Sequence, residues 1–325
     1  MNIFSPPTTD PYLNLAMEEY FLRHSEEEFV MCWWSTPSVV VGKHQNALAE
    51  VNVPFVLKKR IPVIRRLSGG GTVFHGPGNL NFSFIRNGCA GRLVDFRKHT
   101  APIIDFLRSL GIAARFEGKN DIRANGLKIS GNAEHVYKNR LLHHGTLLFD
   151  ADLDMLGEAI RVVPGRYTGR SVQSVRSRVG NIIRLPDRPM TFDGFKKQLE
   201  AFLSERFAPI ARYSPDEKEK TGIRSLAGEK YTSWEWNYGY SPPYEFSSEA
   251  DVGQGPIRLT LSVANGVIGM AVAWGVGRTP PWLALAAELP GLRHHPDDIF
   301  GLLKRHGLLP EKAGELSGNM ARLFF

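Results

Sequence analysis

The sequence predicts an α+β protein in two parts, and three observations carry that expectation. Runs rich in β-branched and aromatic residues are punctuated by Pro and Gly and separated by segments with helical spacing and caps. Two Asn-Gly pairs, Asn125-Gly126 and Asn265-Gly266, lie between apolar runs, the commonest signal for a two-residue hairpin. Composition shifts after "YTSWEWNYGYSPPYEF" (231–246), where paired prolines and aromatics end one unit. A boundary near 245 divides the chain into 1–245 and a small α+β domain, 246–325.

Each element has its own signal. Residues 10–24 read as a helix: Asp10 is placed to cap, Pro11 suits the first helical position, and Leu13, Met17, Tyr20 and Phe21 share a face. "FVMCWWSTPSVVVGK" (29–43) and "PFVLKKRIPVIRRLS" (54–68) read as strands joined by turns, and "LNFSFI" (80–85) continues in that style. Thr100 and Pro102 open a helix that ends at Gly111, with Ile103, Phe106, Leu107 and Leu110 at helical spacing. "DIRANGLKISGNAEHVY" (121–137) folds back at Asn125-Gly126, and "LLHHGTLLFD" (141–150) is a further strand, in which His143 and His144 face opposite ways. Helices are expected over 152–161 and 191–207. Past 245, "PIRLTLSVANGVIGMAVAW" alternates as a hairpin, and a helix follows around 297–306.

With 325 residues, 42% hydrophobic and 22% charged, the chain is long enough to bury cores without staples. No apolar run reaches membrane-spanning length, and the N-terminal stretch lacks secretory features, so a cytoplasmic location and no membrane partner are expected. Cys32 and Cys89, the two cysteines, have neither metal-ligand nor CxxC spacing, which suits a reducing compartment. A formal charge of +7 would favour an acidic protein partner or a phosphate-bearing ligand. There is no RNP-type aromatic strand and no zinc-finger spacing, so nucleic acid is not an expected partner. GxxxxGK[ST], GxGxxG with its acidic partner, HExxH, GxSxG and the kinase set are all missing.

Two clusters carry candidate chemistry. "RRLSGGGTVFHGPGNLNFSF" (65–84) sets three glycines among Arg65, Arg66, Ser68, His75, Asn79 and Asn81. Glycines let a ligand approach main-chain N–H groups, a way to cradle phosphate or carboxylate, although a bare triglycine also reads as a flexible turn. The density of donors around one turn favours a site. "KNDIRANGLKISGNAEH" (119–135) places Lys128 in a strand, facing a cleft or facing outward, and puts Asp121 beside Asn120, where it could hold magnesium or cap a turn.

Taken in order, "NLAMEE" (14–19), "RRLSGGGTVFH" (65–75), "GNLNFSF" (78–84), "NDIRANGLKISGNA" (120–133), "LHHGTLLFDADL" (142–153), "SVRSRVGN" (174–181) and "SWEWNYG" (233–239) resemble the motifs of the lipoate-protein ligase family, including its two-domain members. The resemblance implies a mixed-sheet α+β catalytic domain of the biotin/lipoate-protein ligase type, binding lipoate and ATP within 1–245, and an accessory domain over 246–325. It implies that lipoate is activated by ATP with magnesium to lipoyl-AMP. The acyl group then passes to a lysine of lipoyl-domain acceptors, the 2-oxoacid dehydrogenase E2 subunits and the glycine cleavage H protein. A monomer is expected.

Carried onto this sequence, the resemblance makes Lys128 the catalytic cation. Arg66, Ser68, Gly69, Gly70, Gly71 and His75, with Asn79 and Asn81, correspond to the acyl and adenylate pocket. Ser130, Ala133 and His144 lie on the facing segment. Asn120 and Asp121 match positions near phosphate and magnesium, Leu15 and Val40 line the tail tunnel, and Arg176 and Arg178 belong to a segment that closes over the adenylate. Two rival chemistries are a lipoyltransferase fed with preformed lipoyl-AMP and an ATP-independent octanoyl or lipoyl acyltransferase working through a cysteine thioester.

Overall fold

The computed structural model describes residues 1–88, 93–185, 189–252, 255–275, 280–309 and 318–325. Its main element is an eight-stranded sheet in the order β12 (Ala211–Arg212), β1 (Asn2–Phe4), β2 (Phe29–Trp33), β6 (Asn79–Asn87), β10 (Arg140–Leu148), β9 (Leu127–Tyr137), β8 (Asp121–Ala124), β7 (Arg115–Glu117). β1 runs parallel to both neighbours and the remaining pairs are antiparallel, so the sheet is mixed. A three-stranded sheet, β4 (Val63–Arg65), β3 (Ser38–Val41), β5 (Val73–His75), carries the triglycine between β4 and β5. The third sheet orders β11 (Tyr167–Gly169), β13 (Tyr244–Asp251), β14 (Pro256–Ala264) and β15 (Val267–Gly275).

Period-two alternation decides what each face of the main sheet does. On β2, Val30 and Cys32 join Phe82, Phe84, Ile103, Phe106, Phe195 and Leu199 on the side of helices α4 (Phe96–Ser109) and α6 (Phe192–Arg206). Phe29, Met31 and Trp33 face the other way, packing with Leu15 and Phe21 of α1 (Pro11–His24). Both faces are covered, which is why "FVMCW" is continuously apolar. Burying each Phe or Leu in these layers contributes roughly 1.5–3 kcal/mol. On β6 the same alternation sends Leu80, Phe82 and Phe84 into the α4 side and leaves Asn79, Asn81 and Ser83 on the α1 side. His143 stacks on Phe82 and Phe84, whereas His144 reaches Glu18 of α1, so the opposed directions expected for this pair are observed.

The cap at Asp10 forms as expected, accepting from the N–H groups of Tyr12 and Leu13, with Pro11 in the first turn. Both Asn-Gly pairs turn hairpins with positive φ at each residue: 48° and 77° at 125–126, 52° and 70° at 265–266. Two expectations are corrected. Of the strands expected over 54–68, only Val63–Arg65 forms one. Residues before it make helix α3 (Val53–Lys59), capped by Asn52 and with Pro54 in its first turn, and a short α2 (Ala47–Glu50) precedes it. The β-branched composition misled because cap and proline chemistry outweighs a run of that length. The helix expected to open at Thr100 begins at Phe96, capped by Asp95, with Pro102 inside it. Its end, at Ser109 before Gly111 (φ 80°), agrees. Helix α5 (Leu153–Ala159) and α6 form where expected, and α9 (Pro296–Arg305) covers most of 297–306. The remaining helices are α7 (Glu217–Leu226), α8 (Pro280–Glu288) and α10 (Gly318–Phe324), with π-helical turns at Ala227–Tyr231 and Glu235–Gly239. Among the described residues no helix is long and apolar enough to cross a membrane.

Three buried histidines make the fold acid-sensitive. Burial pushes His75 down to about 3 and His143 and His294 to about 4, from an ordinary 6.5. The unfolded chain protonates these rings below pH 6.5 while the folded chain does not, so their stabilisation is complete above 6.5 and is lost as pH falls toward 4. The unfolding free energy measured with denaturant is therefore expected to fall as the pH is lowered from 7 to 5. A value unchanged from pH 7 to 5 would refute the assignment.

Candidate active site

The arginine pair before the glycines divides into two roles. Arg65 is fully buried, and its guanidinium donates to the carbonyls of Gly42 (3.0 Å), Lys43 (3.1 Å), Gln45 (2.7 Å), Trp236 (2.9 Å) and Asn237 (2.9 Å) and to Ser241 Oγ (3.0 Å). These donors serve the fold, welding the 42–45 turn to the 236–241 segment. Arg66 grips the triglycine from inside: Nη2 donates to the Gly69 (2.5 Å) and Gly71 (2.8 Å) carbonyls, Nη1 to Val40 O (3.2 Å) and Nε to Ser68 Oγ (3.0 Å). Burial brings both guanidiniums down to about 10, which leaves them charged at neutral pH.

The glycines are required by close approach. A Cβ on Gly42 would lie 2.1 Å from the Gly70 carbonyl oxygen, Gly70 itself has φ 88°, and a Cβ on Gly71 would lie 3.0 Å from Ser174 Oγ. Part of what comes close to this backbone is therefore the chain itself.

A cavity of about 680 Å³ opens beside the triglycine. Its lining combines Leu15, Trp33, Val73, His75 and Asn81 with the charged Lys119, Asp121, Arg123, Lys128 and Arg176. His75 Nδ1 and Asn81 Nδ2 are buried without a protein partner. Gly70, Gly71, Arg66, Ala133, His144 and Asn120 also reach its wall. Val40, Ser68, Gly69, Asn79, Ser130 and Arg178 lie behind that wall or beside it and are not among its lining residues. Asn79 Nδ2 donates to Asn81 Oδ1 (2.9 Å), Asn132 Nδ2 approaches Ser130 Oγ at 3.3 Å, and Arg178 offers its carbonyl to the Lys128 N–H (2.9 Å).

Lys128 sits on β9 where Gly131 leaves room for it: a Cβ there would come within 3.1 Å of Nζ. Its ammonium pairs with Asp121 Oδ1 at 2.7 Å, and Arg123 approaches Asp121 Oδ2 at 3.3 Å. Asn120 turns its Nδ2 to the Asn132 carbonyl and braces the strand start. A second cavity, about 660 Å³, shares Thr72, Val73, Lys128, Gly131, Thr146 and residues 173–177 with the first. Its far wall comprises Leu148, Leu153, Leu156, Ile160 and Tyr167, so an edge strand of the third sheet contributes to it.

His144 is held by a buried relay. Its Nδ1 lies 2.9 Å from Glu18 Oε2 and its Nε2 2.6 Å from Ser68 Oγ, while Ser83 Oγ donates to Glu18 Oε1 (2.5 Å) and receives Trp33 Nε1–H (3.0 Å). The arrangement is that of a serine–histidine–carboxylate triad, but Ser68 is fully buried and lines neither cavity, so it orients the ring rather than attacks. Glu18 was missed as a site residue in the sequence, although it lies in "NLAMEE" and three residues after Leu15 on the same buried helix face. Cys32 lies in the core on the opposite side of the sheet from His144, and burial pushes its thiol well above the ordinary range, which removes it as a nucleophile. Cys89 lies outside the described residues.

Residues 10–204 match the model of the lipoyl protein ligase A/B catalytic domain. "Lipoate--protein ligase 1" of Staphylococcus aureus is 40% identical over 270 residues, 82% of each chain. A T. acidophilum protein described as a lipoate protein ligase, with lipoic acid bound, superposes with a TM-score of 0.62 at 28% identity, covering 73% of this chain and 98% of that one. A lipoate-protein ligase A bound with ATP gives 0.61 at 29% identity, covering 74% and 98%. The cavities, the seated lysine and these matches lead to one assignment: the chain belongs to the lipoyl protein ligase A/B catalytic-domain family.

Proposed function

We propose that the chain is an ATP-dependent lipoate-protein ligase, with the acyl group in the first cavity and the nucleoside in the second. The observation that carries this reading is that Lys128 lines both cavities. An acyl-adenylate joins an acyl group to a phosphate, and the join needs a positive charge at one place where two chambers meet. In the first step a lipoate carboxylate oxygen bonds to the α-phosphorus and pyrophosphate leaves. In the second the acceptor lysine bonds to the acyl carbon, the C–O bond to phosphate breaks and AMP leaves. Lys128 stabilises the negative charge that develops on the phosphoryl and acyl oxygens, and its work is electrostatic in both steps. The Leu15–Trp33–His75–Asn81 end takes the tail, and Arg176 with Arg123 faces the phosphate. His75, held neutral by burial, adds no competing charge there.

Asp121, an oxygen donor whose carboxylate lines the cavity, would hold a magnesium ion there, and the ion would supply positive charge against the phosphates. With Asp121 so engaged, Lys128 would turn from it to the substrate. Residues 1–245 hold the chemistry and 246–325 serve as an accessory domain, with Tyr167 linking its sheet to the second cavity. The acceptors are lipoyl domains of 2-oxoacid dehydrogenase E2 subunits and the glycine cleavage H protein, met in the cytoplasm by a monomeric enzyme. The positive balance favours acidic acceptors.

Activation is tested without an acceptor. Protein, lipoate, ATP and magnesium, analysed by liquid chromatography and mass spectrometry, yield lipoyl-AMP and pyrophosphate. If no lipoyl-AMP forms but supplied lipoyl-AMP is consumed by an acceptor, the chain is a lipoyltransferase and the ligase reading falls.

A further inference from the structure

The segment between the two cavities is fastened at its middle by a carboxylate that its motif gives no reason to expect. Glu50, at the end of α2, is buried at 8% exposure, and among the described residues no Lys or Arg pairs with it. It takes the Ser174 N–H on Oε1 (3.2 Å) and the Ser174 hydroxyl on Oε2. Ser174 Oγ in turn receives the Thr72 N–H (2.8 Å) and Gln45 Nε2 (3.1 Å), while Thr72 Oγ1 lies 2.9 Å from Gln45 Oε1 and 3.3 Å from Glu50 Oε2. Gly71 has no Cβ where Ser174 seats. A buried carboxylate without a cation is costly unless hydrogen bonds satisfy it, and here those bonds come from the loop and the residue after the triglycine.

The fastening matters because of where it lies. Residues 173–177 line both cavities, so whatever holds Ser174 holds the wall beside the junction at Lys128. Flanking bonds hold the ends of the same segment: Val172 N–H to His44 O (3.1 Å), Arg123 to Ser177 Oγ (2.6 Å), and Lys128 N–H to Arg178 O (2.9 Å). The middle is held at Ser174, where Glu50 takes both the N–H and the hydroxyl and Thr72 and Gln45 bond the same oxygen.

We propose that Glu50 is a positioning residue for the lipoyl-adenylate: through Ser174 it latches the 172–177 segment onto Gly71 and Thr72, keeping the mixed anhydride from escaping before the acceptor lysine arrives. The proposal rests on the ligase reading. A reactive anhydride is useful only while it is retained and shielded from water, and a lid with a breakable catch suits that requirement.

The test uses Glu50→Gln, Ser174→Ala and the double variant in the full chain, with folding checked by thermal melting. Two quantities are read: the rate of tryptic cleavage at Arg170, Arg176 and Arg178, and the ratio of lipoyl-AMP released to acceptor lipoylated. Each single variant is expected to raise both by about tenfold, as loss of a charge-assisted bond would. The double variant is expected to fall well short of the product of the singles, since the Ser174 hydroxyl–Glu50 contact is common to both. Wild-type cleavage and release in both singles would overturn the proposal, and so would a double variant whose effects multiply to about a hundredfold. If even the wild-type protein makes no lipoyl-AMP, the ligase reading has failed, and the cleavage rates alone decide whether the latch exists.

Discussion

Lys128→Ala lowers the rate of lipoyl-AMP formation by about 100- to 1,000-fold, the usual cost of removing one preorganised charge from a transition state. The fold survives the change. The Lys128–Asp121 pair lies at the cleft with side chains 25% and 18% exposed, and Asp121 keeps Arg123 as a neighbour. A partly solvated pair of this kind contributes only about 0–1 kcal/mol to stability. The melting temperature therefore stays near that of the unaltered protein while turnover collapses. Lys128→Arg is expected to recover little, because a planar guanidinium cannot replace a compact ammonium in the space that Gly131 leaves. Near-normal adenylate formation by a folded Lys128→Ala protein, measured as pyrophosphate release, would contradict the role.

Arg65→Ala acts in the opposite manner, through stability. Its guanidinium satisfies five carbonyls and one hydroxyl in a fully buried position, and its removal takes that donor from all of them at once. Leaving several buried acceptors unpaired costs roughly 4 kcal/mol, placing this among the most damaging single substitutions available to the chain. For a chain of this size that corresponds to a drop of about 8 °C in melting temperature. Activity falls as well, because the 42–45 turn that Arg65 secures holds Gly42 against Gly70 and Gln45 against Ser174. A melting temperature within about 2 °C of the parent would show that the network is dispensable.

The contrast between these two residues indicates what could be read from the chain beforehand. Arg65 and Arg66 are adjacent and chemically alike, and both are plausible ligand donors in the sequence. Only their surroundings separate them: Arg65 reaches residues more than 170 positions away, and no local pattern encodes such a contact. The legible features were those with a short-range cause. Asp10 and Pro11 start a helix by capping, Asn-Gly pairs turn hairpins by adopting positive φ, and strand alternation sends His143 and His144 to opposite faces. The motif residues Arg66, Gly70, Gly71, His75, Lys128 and His144 converge on one cavity, although they come from two different sheets.

Other features depended on competition or on distance. The helix at Val53–Lys59 arises because an asparagine cap and a first-turn proline prevail over β-branched residues. Glu18 lies within "NLAMEE" and Glu50 outside the quoted motifs, but each is an ordinary helical carboxylate until His144, or Ser174, is brought to it from far along the chain. The triglycine was legible as a close-approach site. That Ser174 of the same chain is one of the groups approaching was not.

The most direct measurement of the central claim is the intact mass of a purified apo lipoyl domain incubated with this protein, lipoate and magnesium, with and without ATP. The account predicts the addition of one lipoyl group in the presence of ATP and none without it, with Lys128→Ala inactive under both conditions. An acceptor left unmodified when ATP is supplied, or modified equally well when it is withheld, would contradict it.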